Sequence, residues 1–273
     1  MDCNYLDQLT CVAKTLIFPL VARAEFSKAD DSPINDKFAI QLLEDLEYNS
    51  SQLIRKVGRY SMLWCMARTY HFNQVIKSYL SVYPKATIVN IGAGLDTTFY
   101  NIDNGQLVWV DIDLPKVITL KKQLLPQAPN IIYISRSIFD CKCIEELKII
   151  SGSNVLFMAG GIFMYYSKNS IRFLLKRLGR NFHSQIIFDV PSKNSVIYTN
   201  KLFTKINYFA DAKLKWGIDN SEEFITWSDR IKIISTKKYF QDIKFKYNFS
   251  LSYHMYMLFC DLYDKGRIFH MHL

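Results

Sequence analysis

The chain has 273 residues, of which 49% are hydrophobic and 22% charged, so its composition is that of an ordinary globular protein. No apolar run approaches the ~20 residues needed to cross a bilayer, and the run at residues 16–21 follows a segment that is not basic, so neither a membrane span nor a signal peptide is expected. The net charge of +9 is spread along the chain, which argues against a dedicated nucleic-acid surface. Six cysteines without a C-x-x-C pair favour reduced thiols in a cytoplasmic protein.

The first third of the chain lacks strand-like runs and is predicted to be helical, for example over Lys37–Leu46 and Tyr60–Leu80. From residue 86 onward, short apolar runs alternate with helical patterns. The predicted strands are 87–91, 107–111, 131–135, 154–159 and 185–190. The predicted helices between them are 96–101, 115–124, 141–149 and 168–182.

Residues 193–229 break this alternation and are predicted to be helical and aromatic. Two further strands are predicted near 231–240 and 267–273, with a helix at about 251–262 between them. Alternating strands and helices indicate an α/β fold with a doubly wound, mainly parallel sheet. We expect one domain over 1–273, made of a helical cap (1–85), a core (86–192), an insertion (193–229) and the final strands (230–273).

Two glycines follow the first predicted strand, and two aspartates follow the second. Gly92 and Gly94 would let a ligand approach the backbone closely, because they lack Cβ atoms. Asp111 and Asp113 come 19 and 21 positions after Gly92, which places a carboxylate at the tip of the neighbouring strand. A carboxylate there can accept hydrogen bonds from both hydroxyls of a ribose, so the pattern predicts a nucleoside-containing cofactor.

The pattern favours S-adenosylmethionine over NAD. The dinucleotide fingerprint needs a third glycine, but residue 97 is threonine, and Asp96 stands at the entrance to the next helix. A carboxylate there would repel a pyrophosphate, whereas it tolerates or helps a positively charged sulfonium. Asp96 could equally be an ordinary helix cap.

The strings that follow the strands resemble the motifs of the leucine carboxyl methyltransferase family. The first is V-N-I-G-A-G-L-D-T-T-F at 89–99, and V-D-I-D-L-P at 110–115 is similar to the family's E-V-D-x-P. The string A-G-G-I-F-M-Y at 159–165 is similar to the family's A-E-G-x-x-x-Y. Similar elements occur at 22–24, 36–39, 67–68, 187–189 and 216–219, so the resemblance covers nearly the whole chain. It implies a Rossmann-like class I methyltransferase sheet with a helical cap.

The resemblance also implies a set of cofactor-binding residues. Arg23 and Arg68 match the basic residues that hold the methionine carboxylate, and Gly92 would present its backbone to the methionine amino group. Asp113 matches the family's ribose-binding acid and Asp111 the acid two before it, and both remain candidates. The expected cofactor-binding residues are Arg23, Arg68, Gly92, Ala93, Gly94, Asp96, Asp111, Asp113, Ser137, Ile138 and Gly160.

Two positions depart from the family pattern. Ser137 stands where the family commonly has an aspartate near the adenine, and a hydroxyl accepts a hydrogen bond more weakly than a carboxylate does. Gly160 stands where the family has a glutamate. Both departures bear on cofactor affinity.

Tyr165, Tyr166 and Asp189, at the tips of the fourth and fifth strands, are the candidate catalytic residues. A carboxylate acceptor needs no general base, whereas a hydroxyl acceptor would benefit from one. We expect O-methylation of a small molecule, with no nucleic acid or membrane as partner. The alternatives are methylation of a protein C-terminal carboxylate and nonenzymatic nucleic-acid binding. His270 and His272 lack a third ligand nearby in sequence, so no metal site is expected.

Overall fold

The computed structural model describes residues 16–206 and 212–273. Seven strands form one sheet: β1 (Thr87–Ile91), β2 (Val108–Asp113), β3 (Ile131–Ser135), β4 (Val155–Ala159), β5 (Ser184–Pro191), β6 (Lys232–Lys238) and β7 (Gly266–His272). The described helices are α1 (Ile17–Ser27), α2 (Lys37–Asp45), α3 (Ser50–Val57), α4 (Arg59–Val82), α5 (Thr98–Ile102), α6 (Pro115–Leu124), α7 (Cys141–Ile150), α8 (Lys168–Asn181), α9 (Lys193–Ile206) and α10 (Leu251–Leu262). Short 3-10 turns lie at Phe163–Tyr165 and Ser221–Trp227.

The strand order across the sheet is β3-β2-β1-β4-β5-β7-β6. Strands β1 to β5 pair in parallel, and β7 lies antiparallel between β5 and β6. The order reverses between β1 and β4, which is where ligands bind in doubly wound sheets. The α/β fold class predicted from the sequence is therefore confirmed, with β7 as the antiparallel member.

The central strands β1 and β4 consist mainly of apolar residues, which favours their place in the middle of the sheet. Every residue of β1 and of β4 is buried, as expected for apolar, β-rich segments covered by helices on both faces. One apolar cluster lies on each face of the sheet, and a third joins the cap helices α1 to α4 to α6 and to Leu95, which follows β1. This third cluster holds the cap over the carboxyl ends of the strands.

Some predicted boundaries shift in the structure. Strand β2 continues to Asp113, two residues beyond the predicted end, while β6 ends at Lys238 rather than at residue 240. The insertion contains α9 and a 3-10 turn, and residues 207–211 of it lie outside the described residues. In the described part of the chain, no helix combines the length and the apolar character that crossing a membrane requires.

Candidate cofactor and active site

The glycine turn after β1 begins the site. Gly92 and Gly94 both adopt the left-handed backbone conformation, with φ of +69° and +49°. A Cβ on Gly92 would lie 2.9 Å from Cγ1 of Ile162, so a side chain there would be strained and crowded. The turn is fixed to the next strand because the Gly92 N–H donates to the Ile112 carbonyl at 2.8 Å.

Asp113 lies at the end of β2, directly beside this turn. Its Oδ2 accepts from the Gly94 N–H at 2.8 Å, and its Oδ1 accepts from the Leu114 N–H at 2.7 Å. Burial raises the pKa of Asp113, while these two N–H donors favour its ionised form. Each oxygen keeps a further lone pair, so the carboxylate can still accept from ligand hydroxyls.

Asp111 does not join Asp113 in the cavity, which corrects the expectation that both acids were candidates there. Its Oδ2 lies 2.7 Å from the ammonium of Lys121, and both side chains are almost fully buried. Its Oδ1 accepts from the Trp109 indole N–H at 2.8 Å and from Asn90 at 3.2 Å. All of these partners are protein groups, so Asp111 holds β1, β2 and α6 together.

Arg23 binds protein groups at the rim of the glycine turn. Its Nε donates to Asp36 Oδ2 at 2.9 Å and its Nη2 to the Leu95 carbonyl at 2.8 Å. Asp36 also accepts from the Thr97 hydroxyl at 2.6 Å and caps α2 through the Ala39 N–H. Arg23 thus ties the cap helices to the turn, while its side chain also lines the cavity.

Asp96 precedes α5 and lies beside the glycine turn. Its Oδ1 accepts from the Thr98 N–H at 2.6 Å, and the residue lines the cavity. Burial opposes ionisation, but Arg23, Lys121 and the Thr98 donor together hold the pKa of Asp96 below its usual value. A stable negative charge therefore lies beside the glycine turn.

Arg68 reaches the cavity from the middle of α4. Its Nη1 lies 3.3 Å from Asp189 Oδ2, and its Nη2 donates to the Cys65 sulfur at 3.6 Å. Burial alone would disfavour the charge, but Asp189 keeps the pKa of Arg68 above its usual value. Arg68 is therefore a permanently charged guanidinium inside the cavity.

Asp189 is completely buried and is bound by three donors. In addition to Arg68, the Gly161 N–H donates to its Oδ1 at 2.6 Å, and the Tyr239 hydroxyl donates to its Oδ2. Burial and the adjacent Asp189 raise the pKa of Tyr239 well above its usual value, so the tyrosine stays protonated. Asp189 therefore holds Arg68 and the Gly161 turn in place.

Gly160, one of the two departures from the family pattern, packs against Arg68. A Cβ there would lie 3.3 Å from the Arg68 side chain and 3.3 Å from the ring of Phe72. These two side chains occupy the space into which a glutamate at residue 160 would extend. The loss of a carboxylate at this position thus accompanies a close approach of the guanidinium.

The third strand leads to Ser137 and Ile138, which also line the cavity. The Ser137 hydroxyl accepts from the Phe139 N–H at 3.2 Å, and Ile138 is buried. The ring of Tyr166 lies against Phe139, with centroids 4.8 Å apart. Burial and the nearby Asp113 raise the pKa of Tyr166, so its hydroxyl is neutral.

All these elements surround one cavity of about 710 Å³ beyond the carboxyl ends of the strands. Of the site residues expected from the sequence, every one except Asp111 lines it. Those residues are Arg23, Arg68, Gly92, Ala93, Gly94, Asp96, Asp113, Ser137, Ile138, Gly160, Tyr165, Tyr166 and Asp189. Across the described ranges, no three potential metal-binding side chains come together.

Several cavity residues were missing from the sequence prediction. Trp64 lies one helical turn before Arg68 on α4, so helical spacing could have indicated it. Tyr239 directly follows β6 and carried no local signal, because only the tertiary fold brings it to Asp189. Tyr256 and Phe259 from α10, and Lys265 immediately before β7, also line the cavity.

Comparison with solved structures defines the class of fold. The chain is similar to a DUF574 family protein from Streptomyces avermitilis, with a TM-score of 0.57, 10% identity, and coverage of 93% of this chain and 96% of that one. It is also similar to the plantazolicin methyltransferase BamL, solved with a desmethylPZN analogue and S-adenosylhomocysteine (SAH), with a TM-score of 0.50, 12% identity, and coverage of 96% and 97%. The fold is that of the class I methyltransferases.

Sequence comparison then gives the family. Residues 17–179 match the leucine carboxyl methyltransferase family, and the chain belongs to it. It is also 24% identical over 215 residues to the tetracenomycin polyketide synthesis O-methyltransferase TcmP of Streptomyces glaucescens, covering 78% of this chain and 77% of that protein. The expectation of a methyltransferase of this family is confirmed.

Proposed function

We propose that this protein transfers the methyl group of S-adenosylmethionine to an oxygen atom of a small-molecule acceptor. The observation that carries the proposal is the pairing of the Gly92–Gly94 turn with Asp113 at adjacent strand tips, in one cavity with the charged Arg68. Family membership and the likeness to TcmP, an O-methyltransferase of polyketide synthesis, support it.

The residues in the cavity suit this cofactor. Asp113 has acceptor capacity for the ribose hydroxyls, and Ser137 and Ile138, which also line the cavity, would border the adenine. Asp96 is ionised beside the glycine turn, which favours a sulfonium and disfavours the pyrophosphate of a dinucleotide. When bound, S-adenosylmethionine supplies a methyl group that is already activated for displacement.

Arg68 would bind the methionine carboxylate. A guanidinium has five donors in a planar fork, so the bonds to Asp189 and Cys65 leave others free. Asp189 fixes the orientation of the fork, and orientation is the main contribution that this chemistry asks of the protein. Asp189 therefore serves as a positioning residue in this proposal.

The lining of the cavity favours a carboxylate over a hydroxyl as acceptor. No histidine lines it among the described residues, and its three carboxylates, Asp96, Asp113 and Asp189, all accept hydrogen bonds from protein groups. The hydroxyls of Tyr166 and Tyr239 are held neutral. A hydroxyl acceptor would need a base to remove its proton, whereas a carboxylate is already ionised at neutral pH.

The acceptor is a small molecule in this proposal because side chains of the cap helices and of α10 line the cavity. Aromatic side chains from α4 and α10, including Trp64 and Tyr256, form an apolar wall that excludes water from the methyl group. A protein C-terminus or a nucleic acid would instead need an open groove or a basic track.

Titration calorimetry tests the cofactor. SAH should bind with micromolar affinity and NAD should not. Arg68→Ala should weaken the binding of SAH by about 2–4 kcal/mol. The binding of adenosine, which has no carboxylate, should be nearly unchanged. Arg55→Ala, an exposed charge outside the cavity, is the matched control and should bind like the wild type. Absence of SAH binding up to millimolar concentration would refute the proposal.

A radiolabelled donor tests the acceptor, using fractionated cell extract. Label that passes a small-molecule filter and is released as methanol by mild base would support a methyl ester. Base-stable label would point to an ether. Label retained above the filter and lost on protease or nuclease treatment would favour a macromolecular acceptor.

A further inference from the structure

Lys265 lies at the end of the cavity away from the glycine turn. Its carbonyl accepts from the Ser192 N–H at 3.0 Å, and its N–H donates to the Cys260 carbonyl at 3.0 Å, so its backbone is fixed where α10 meets β7. Gly266, the next residue, pairs with Pro191 at the carboxyl end of β5. Since β4 and β5 separate β7 from β1, this position is about 14 Å from the glycine turn across the sheet.

The charge of Lys265 is not compensated by a carboxylate. The other cations that line the cavity all form ion pairs: Arg23 with Asp36, Arg68 with Asp189, and Arg136 with Asp140 and Glu146. Within residues 16–206 and 212–273, no acidic side chain pairs with Lys265. Its ammonium lies instead 5.7 Å from the ring centroids of Phe259 and Tyr263, two side chains that are 51% and 60% exposed.

The surroundings of Lys265 strengthen its attraction for an anion. Phe259 and Tyr256 from α10 and Trp64 from α4 line the same cavity, and the Trp64 indole donates to the Tyr256 hydroxyl at 3.0 Å. Burial raises the pKa of Tyr256, so this wall carries no negative charge of its own. A cation beside an apolar wall attracts an opposite charge more strongly than one in open water does.

We propose that Lys265 binds an anionic group of the acceptor, remote from the oxygen that receives the methyl group, and thereby determines which acceptors the protein takes. The inference rests on the proposed function, because it treats this end of the cavity as the acceptor subsite. The ligand class is an apolar, ring-containing molecule with a negatively charged substituent. The rings of Phe259 and Tyr256 would contact its body, and Lys265 its charge.

The test compares 2-naphthoate with its neutral analogue 2-naphthamide, each titrated into protein saturated with SAH. The wild type should bind the anion at least about tenfold more tightly, in line with one charge-assisted hydrogen bond. Lys265→Gln should abolish that preference and leave SAH binding unchanged, while Lys265→Arg should retain it. Lys193→Gln is the matched control, because Lys193 lies near the end of β5 but outside the cavity lining and pairs with Asp219.

The outcomes separate this inference from the proposed function. Absence of SAH binding by the wild type would refute the proposed function itself. Normal SAH binding with no preference for naphthoate, or a preference that survives in Lys265→Gln, would overturn only the role of Lys265. Loss of SAH binding in Lys265→Gln would also overturn the proposed role of Lys265, because the residue would then contribute to the binding of the cofactor. An equal loss of preference in Lys193→Gln would show a general effect of net charge and would overturn it too.

Discussion

Replacing Gly161 with alanine tests whether the position of the Arg68 guanidinium matters for cofactor binding. Gly161 has φ of +68°, and a Cβ there would lie 2.5 Å from Arg68 Nη1. Gly105 offers a control with nearly the same backbone, φ +73°, but with no atom within 4 Å of its Cβ position. Both substitutions carry the same conformational penalty, whereas only Gly161→Ala displaces a side chain.

The expected magnitudes follow from this geometry. An L-residue in the left-handed region costs about 1–2 kcal/mol, so Gly105→Ala should lose about that much in free energy of unfolding, and Gly161→Ala should lose more. In Gly161→Ala the tip of Arg68 must also move, which disturbs its 3.3 Å pair with Asp189 and its proposed contact with the cofactor carboxylate. Loss of one charge-assisted hydrogen bond, about 1.5–3 kcal/mol, would weaken SAH binding roughly 10- to 150-fold.

Two assays on these two variants test whether the position of Arg68 affects cofactor binding. Urea denaturation should show a larger loss of stability in Gly161→Ala than in Gly105→Ala, because only the first disturbs the buried Arg68–Asp189 pair. Calorimetric titration should show weakened SAH binding only in Gly161→Ala, with adenosine binding equal in both variants. If both variants bound SAH equally well, the position of the Arg68 guanidinium would not matter for the cofactor, and its assigned role would be refuted.

Three further outcomes follow from buried polar groups. Lys121→Met should lower the free energy of unfolding by about 3–5 kcal/mol, measured by urea denaturation, because it leaves the buried Asp111 carboxylate without its cation. Unchanged stability would contradict the structural role given to the Lys121–Asp111 pair. Burial lowers the pKa of His270 to about 4, below the usual 6.5, so the unfolded chain takes up the proton first as the pH falls, and stability should drop by about 2 kcal/mol between pH 8 and pH 5. His270→Gln should remove that part of the pH dependence, and an identical pH profile in the variant would contradict it. Tyr239→Phe removes a hydrogen bond to the buried Asp189 and should lower the free energy of unfolding by about 1.5–3 kcal/mol, measured by urea denaturation. An unchanged free energy of unfolding would contradict a stabilising role for this hydrogen bond.

The fold followed from local patterns in the sequence. The fully buried strands β1 and β4 are short apolar runs, and the helices between strands showed the expected periodicity, so the α/β class and its sheet were predictable. The antiparallel position of β7 was not predicted, because its pairing with β5 and β6 depends on residues distant in the chain. Strand order is a tertiary property, and hydrophobic periodicity carries little information about it.

The candidate site shows the same division between local and tertiary information. The glycine turn and the acids after β2 were found from spacing, but spacing alone could not separate Asp111 from Asp113. The choice depends on Lys121 and Trp109, which surround Asp111 and leave Asp113 facing the cavity. The roles given to the lining residues remain predictions for the binding experiments to test.

The placement of β7 also bears on the order in which the two halves of the cavity form. The part of the proposed cofactor site formed by the glycine turn, Asp113 and Ser137 lies at the ends of β1, β2 and β3, which are consecutive in the chain, so its contacts join nearby segments. The acceptor half requires β7 to pair with β5, joining His272 to Gln185 and Gly266 to Pro191. Contacts over such long sequence separations form slowly, so a folding chain should assemble the glycine turn before the end of the cavity that is proposed to bind the acceptor. A ligand that binds at the glycine turn would then stabilise a partly folded chain before the other end of the cavity has formed.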